Sequence, residues 1–120
     1  MNQNNYDLEE RTLLFSKNLL DACRGLPRNS ANSVISRQVL RSGMSIGANY
    51  REANQTKTAR DLNHRLSISI KEARETLYWL ELLIHANPEN KIDLALLNIE
   101  ATEVVKILAT IYKKVNSVVV

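Results

Sequence analysis

Three glycines and two prolines are all that punctuate 120 residues, and this scarcity of turn formers constrains the fold more than any other feature. A sandwich or barrel needs a turn roughly every ten residues, so a chain so poor in them reads as a few long helices. The sparse breaks fall where helices would stop. Gly25-Leu26-Pro27 and Asn87-Pro88 are two stop signals, and the polar Asn54-Gln55-Thr56-Lys57 is a third.

Between the breaks, apolar residues step by three and four, the spacing that keeps them on one face of a helix. Leu8, Thr12, Phe15, Leu19, Ala22 and Leu26 form the first stripe. Ile35, Val39, Ser42, Ile46, Asn49 and Ala53 form the second. The third runs through Leu62, Leu66, Ile70, Ala73, Leu77, Leu80 and Ile84, and the fourth through Leu94, Leu97, Ala101, Val104, Leu108, Ile111 and Val115. The spacing predicts helices over about 7–25, 31–54, 59–86 and 91–116 in a single all-α domain, 1–120. Short loops between amphipathic helices are satisfied most simply by an up-down-up-down antiparallel four-helix bundle.

Capping residues support these limits. Asp7 with Glu10 is read as an N-cap pair, Thr58 with Asp61 has the spacing of a capping box, and Asn90 with Asp93 can open the fourth helix. The closing Ser117-Val-Val-Val has no periodicity. The second stripe is unusually small and polar. Gly43 and Gly47 lie four apart on one side of it, and a helical glycine costs roughly 1 kcal/mol relative to alanine, so close approach of another helix is the reason expected for them.

Little in the sequence points to chemistry. The lone Cys23 excludes an internal disulfide and a cysteine zinc site, which fits a cytoplasmic setting. The N-terminus lacks a basic-then-apolar leader, and no apolar run is long enough to span a bilayer, so no membrane partner is expected. Asp61-Leu-Asn-His64 and the pair Glu81/His85 are the nearest approaches to the carboxylate and histidine pattern of di-metal bundles. The first points away from its helix's apolar stripe and the second is not repeated, so no metal and no cofactor are expected. With no phosphate loop and no activated nucleophile, neither a small-molecule substrate nor enzymatic activity is expected.

Charge is uneven. Between Arg28 and Arg74 nine basic residues face three acidic ones, whereas the rest of the chain holds seven against ten. Arg37, Arg41 and Arg51 line up with Met44 and Ala48 on the outer side of the second helix, and Arg60, His64, Lys71, Arg74 and Tyr78 share a flank of the third. Guanidinium groups along a rigid helix can track the phosphates of RNA or DNA, with Tyr78 available for stacking. The same arginines can instead pair with carboxylates of a neighbouring subunit or of a partner protein. Ile68, Trp79 and Leu82 lie roughly opposite the apolar stripe of their helix, and Leu13, Leu14 and Leu20 broaden the apolar arc of the first. Both features are read as oligomer interface.

Glu10-Arg-Thr-Leu-Leu-Phe15, Gln38-Val-Leu-Arg-Ser-Gly-Met-Ser-Ile-Gly-Ala-Asn-Tyr-Arg-Glu-Ala53 and Lys71-Glu-Ala-Arg-Glu-Thr-Leu-Tyr-Trp-Leu80 resemble the bacterial four-helix bundle family encoded within intervening sequences of 23S ribosomal RNA genes. Asp61-Leu departs from the family's more usual Asp-Phe. The resemblance implies a short antiparallel bundle without known enzymatic activity, commonly assembled as a ring-like homopentamer. It extends in fold to the accessory proteins of diversity-generating retroelements, which bind nucleic acid and a reverse transcriptase. It also implies a structural role for the segment from Arg41-Ser42 to Glu52-Ala53, with Ser42, Ser45, Asn49, Glu72 and Glu75 as polar contacts between helices or subunits.

Overall fold

The computed structural model describes the backbone of residues 3–119 and the side chains of residues 8–117. Four helices, α1 (Gln3–Arg24), α2 (Ser30–Asn54), α3 (Ala59–Ala86) and α4 (Lys91–Val119), are joined by short connections, the last containing a single 3₁₀ turn at Pro88–Asn90. Each helix packs against two neighbours in the cycle α1, α2, α3, α4, giving a rod of 49 × 22 × 19 Å. The antiparallel four-helix bundle expected from the periodicity is the fold found.

Helix limits follow local chemistry at the interior breaks. Asn29 caps α2, its side chain accepting from the Asn32 N–H at 2.8 Å, and Thr58 caps α3, accepting from the Asp61 N–H at 3.1 Å. The outer limits differ from the expected ones. Helix α1 begins at Gln3, which places Asp7 inside the helix and removes the Asp7/Glu10 capping role; no glycine or proline between residues 3 and 7 stops the helix from extending. For the same reason α4 runs through Ser117 to Val119.

The expected stripes meet in one core. Leu8, Phe15 and Leu19 from α1 join Val39, Ile46 and Ala53 from α2, Leu66, Ala73 and Leu80 from α3, and Leu94, Val104 and Leu108 from α4. Each large buried side chain contributes about 1.5–3 kcal/mol relative to exposure. Tyr50 and Leu83 belong to this core although neither lies on the stripes read from the sequence. The glycines do what their spacing suggested. A Cβ on Gly43 would overlap Leu19 Cδ2, and one on Gly47 would lie 2.8 Å from Thr12 Oγ1 and 3.0 Å from Thr12 Cβ, so α1 rests directly on the α2 backbone.

Where α2 meets α3 the interior is polar. Thr76 Oγ1 lies 2.9 Å from Ser42 Oγ and 2.8 Å from the Glu72 carbonyl, and Ser69 Oγ donates to the Ile46 carbonyl at 2.8 Å. All three side chains are fully buried, and small hydroxyls let the two backbones come close while meeting each other's hydrogen-bonding needs. One end of the bundle is tied by a buried pair of amides. Asn32 Nδ2 donates to Asn87 Oδ1 and Asn87 Nδ2 to Asn32 Oδ1, both at 2.8 Å, while the remaining amide hydrogens go to the Pro27 and Leu83 carbonyls.

Candidate nucleic-acid interface

The six basic residues singled out by position fall into two groups. On α3, Arg60, Lys71 and Arg74 are exposed and have no carboxylate partner among the described residues. Steps of three and four along the helix put them on one line with exposed His64 and with Tyr78, which is 58% exposed. At 1.5 Å per residue the cations from Arg60 to Arg74 span about 21 Å of helix surface.

On α2 the arginines are mostly engaged. Arg41 Nη1 lies 3.3 Å from Glu72 Oε2, Arg41 Nη2 pairs with Glu75 Oε2, and Arg41 Nε donates to Gln38 at 3.2 Å. Arg51 Nε lies 3.8 Å from Glu9 Oε1, and Glu9 Oε2 also accepts from Asn54 Nδ2 at 2.7 Å. Of the three, only Arg37 has no partner among the described residues. An arginine already paired with a carboxylate must give up that contact to meet a phosphate, so Arg41 and Arg51 are weaker phosphate ligands than the α3 cations.

The polar residues of the Arg41–Ala53 segment mainly join α2 to α3. Ser42 faces Thr76, Asn49 Oδ1 accepts from Arg65 Nη1 at 3.2 Å, and Glu72 and Glu75 hold Arg41. Ser45 instead donates to the Arg41 carbonyl of its own helix at 2.8 Å.

Trp79, expected to stand exposed beside Ile68 and Leu82, does not. Its ring is half-buried against the core, its Nε1 donates to Glu75 Oε2 at 2.9 Å, and it meets Tyr78 edge-on with centroids 5.0 Å apart. Ile68 and Leu82 are half-buried as well. Glu75, which also holds Arg41, accepts from the Trp79 indole, and Trp79 is less exposed than its position opposite the apolar stripe implied. The large apolar side chains in solvent lie elsewhere, chiefly on α1 and α4.

Titratable groups show packing more than chemistry. The hydrogen bond to Glu100 raises the Arg11 guanidinium above its ordinary value against a smaller opposing effect of burial. Burial raises the Cys23 thiol, with a hydrogen bond to Ser36 acting the other way, so this thiol is a poor nucleophile at neutral pH. Burial likewise raises the Tyr50 phenol. No three metal-ligating side chains converge among the described residues, and Asp61 and His64 are exposed on the surface. No described helix is long and apolar enough to cross a membrane.

Sequence reading missed the Asn32/Asn87 amide pair, because two asparagines 55 residues apart, each beside a turn, look like ordinary turn residues. The split among the arginines was also beyond it. Periodicity finds which side chains share a face, but not which carboxylate a neighbouring helix brings to them.

A profile of 23S rRNA-intervening sequence proteins matches residues 4–110. The fold is similar to the crystal structure of a protein of unknown function from the S23 ribosomal protein family of Bacteroides thetaiotaomicron. The TM-score is 0.83 at 38% identity, over 91% of this chain and 97% of that one. A comparison with curated proteins gives no match.

Proposed function

The chain belongs to the 23S rRNA-intervening sequence protein family, and from that premise we propose that it is a non-enzymatic, self-associating helical protein that contacts RNA or DNA through the outer face of α3. The observation that carries this reading is the line of Arg60, Lys71 and Arg74. These cations are exposed, have no carboxylate partner among the described residues, and are aligned with Tyr78 on a rigid helix. Three cations in one chain are a modest footprint for a polyanion, and repetition around a homo-oligomer, a pentamer in the form the resemblance implies, multiplies it. A cytoplasmic setting suits a protein whose one cysteine is an unpaired thiol.

Fluorescence anisotropy with a mixed-sequence single-stranded RNA, titrated against potassium chloride, tests the reading. Affinity is expected to fall steeply with salt, and a Lys71→Glu/Arg74→Glu double variant should bind at least about tenfold more weakly at low salt with a shallower salt slope. Absence of binding at low salt overturns it.

A second reading has its own support. Arg37, exposed on the outer side of α2 and without a carboxylate partner among the described residues, is free to pair with a carboxylate of a neighbouring subunit or of a partner protein. On that reading an Arg37→Glu/Arg41→Glu/Arg51→Glu variant loses assembly while RNA affinity per subunit is unchanged.

A further inference from the structure

Phe15 and Tyr50 lie in the core and Trp79 and Tyr112 are half-buried, which leaves Tyr78 as the one aromatic side chain among those described that stands mainly in solvent. A single exposed ring needs no explanation by itself. How this one is held does. Arg41 Nη2 on α2 pairs with Glu75 Oε2, and the same oxygen accepts from Trp79 Nε1 at 2.9 Å. The indole, packed against the core, then meets the Tyr78 ring edge-on, with centroids 5.0 Å and planes 77° apart. An edge-on contact occupies at most one face of a ring, so the phenol is buttressed from its own helix and keeps a face for another flat group.

The stripe around the ring has a direction. Exposed Arg60, Lys71 and Arg74 precede it, without carboxylate partners among the described residues, and exposed Glu81 follows it, without a cationic one. Arg74 stands one helical turn, about 6 Å along the axis, before Tyr78. A phosphate track laid over the cations is therefore not continued past the ring, where the next charge is a carboxylate. Beside each phosphate a strand carries a base, and every base has a π face on which an aromatic ring can stack. In a duplex those faces are already stacked on one another; in a single strand they can be splayed onto a side chain.

We infer that Tyr78 is a stacking platform for an unpaired base of a single-stranded nucleic acid whose phosphates meet Lys71 and Arg74. The inference rests on the nucleic-acid reading proposed above and narrows it from polyanions in general to single strands. It gives the ring a task that the cations cannot perform, since they read charge, which single strands and duplexes share.

Anisotropy titrations with labelled probes of equal length separate the base from the phosphate. The probes are a mixed-sequence single strand, in RNA and DNA forms, the same strand with abasic sites in place of its bases, and its duplex. Tyr78→Ala should weaken binding of the single strand at least about fivefold at an unchanged slope against potassium chloride, while Tyr78→Phe, which keeps the ring, stays within about twofold of wild type. The abasic strand and the duplex should bind wild type and Tyr78→Ala alike. Circular dichroism and light scattering should show the same fold and the same mass for all three proteins. Wild-type affinity of Tyr78→Ala for both single strands overturns the inference and leaves the phosphate reading standing. An equal loss on the abasic strand or the duplex overturns it as well, and so does a lower mass of Tyr78→Ala, which would trace the loss to assembly. Absence of wild-type binding at low salt overturns both readings together. Dependence on Tyr78 with either strand supports the inference, and the RNA and DNA arms show which of the two supplies the base.

Discussion

The α2/α3 and α1/α4 seams belong to one bundle and are closed by different means. Between α2 and α3, Ser42 and Thr76 pair with each other and Ser69 donates to the Ile46 carbonyl, so the backbones come close with their hydroxyls satisfied, while Arg41, Glu72, Glu75 and Trp79 line the outer edge. Between α1 and α4 the side chains are large and aliphatic, yet Leu14, Leu96 and Ile99 remain in solvent. The only ion pair across that seam among the described residues is Arg11 with Glu100, at 2.6 and 2.8 Å. A seam that spends its polar groups internally has little left to offer a partner. The α1/α4 seam, by contrast, leaves apolar surface uncovered.

Removing what anchors α1 has the largest expected effect. Phe15 is buried at the α1/α4 groove and packs over Gly43, so Phe15→Ala should cost about 3–5 kcal/mol of unfolding free energy in a urea titration. A loss below about 1 kcal/mol would show that α1 is dispensable and erase the contrast between the seams.

Next in size is Thr76→Val, which keeps volume but removes a hydroxyl that meets Ser42 Oγ and the Glu72 carbonyl. Because Ser42 and Thr76 are fully buried, the expected loss is about 1–2 kcal/mol, read as a lower urea midpoint at unchanged slope. A neutral result would mean that the α2/α3 seam is held by shape alone. The smallest effect belongs to Arg11→Ala. Both partners of its ion pair are about one-third exposed, so solvent screening should hold the loss below about 1 kcal/mol, with some of it removed by salt. A larger loss would make the clasp, and not the aliphatic packing, what keeps α4 against α1.

Much of this architecture was legible in the sequence, for identifiable reasons. Four stripes at helical spacing select the core directly, and the glycine pair announced a close approach that Thr12 and Leu19 supply. The limits of α1 and α4 were less legible because stop signals mark where a helix must end, while their absence sets no limit. Tyr50, Asn32 and Asn87 were missed because each is polar by composition and buried only through partners far away in the chain. The arginine line of α3 was found intact, since exposure follows from opposition to the stripe. The fate of the α2 arginines depended on carboxylates contributed by other helices, and that of Trp79 on Glu75 one turn earlier in its own helix.

The Asn32/Asn87 pair joins the α1–α2 turn to the α3–α4 turn through amides that carry no charge in any protonation state available near neutrality. Added salt that screens the Arg11–Glu100 pair or the contacts of Arg41 with Glu72 and Glu75 leaves this latch untouched. The bundle thus separates the neutral tie that joins its two turns at that end from the half-exposed ion pairs along its sides, and ionic strength acts on the second set without loosening the first.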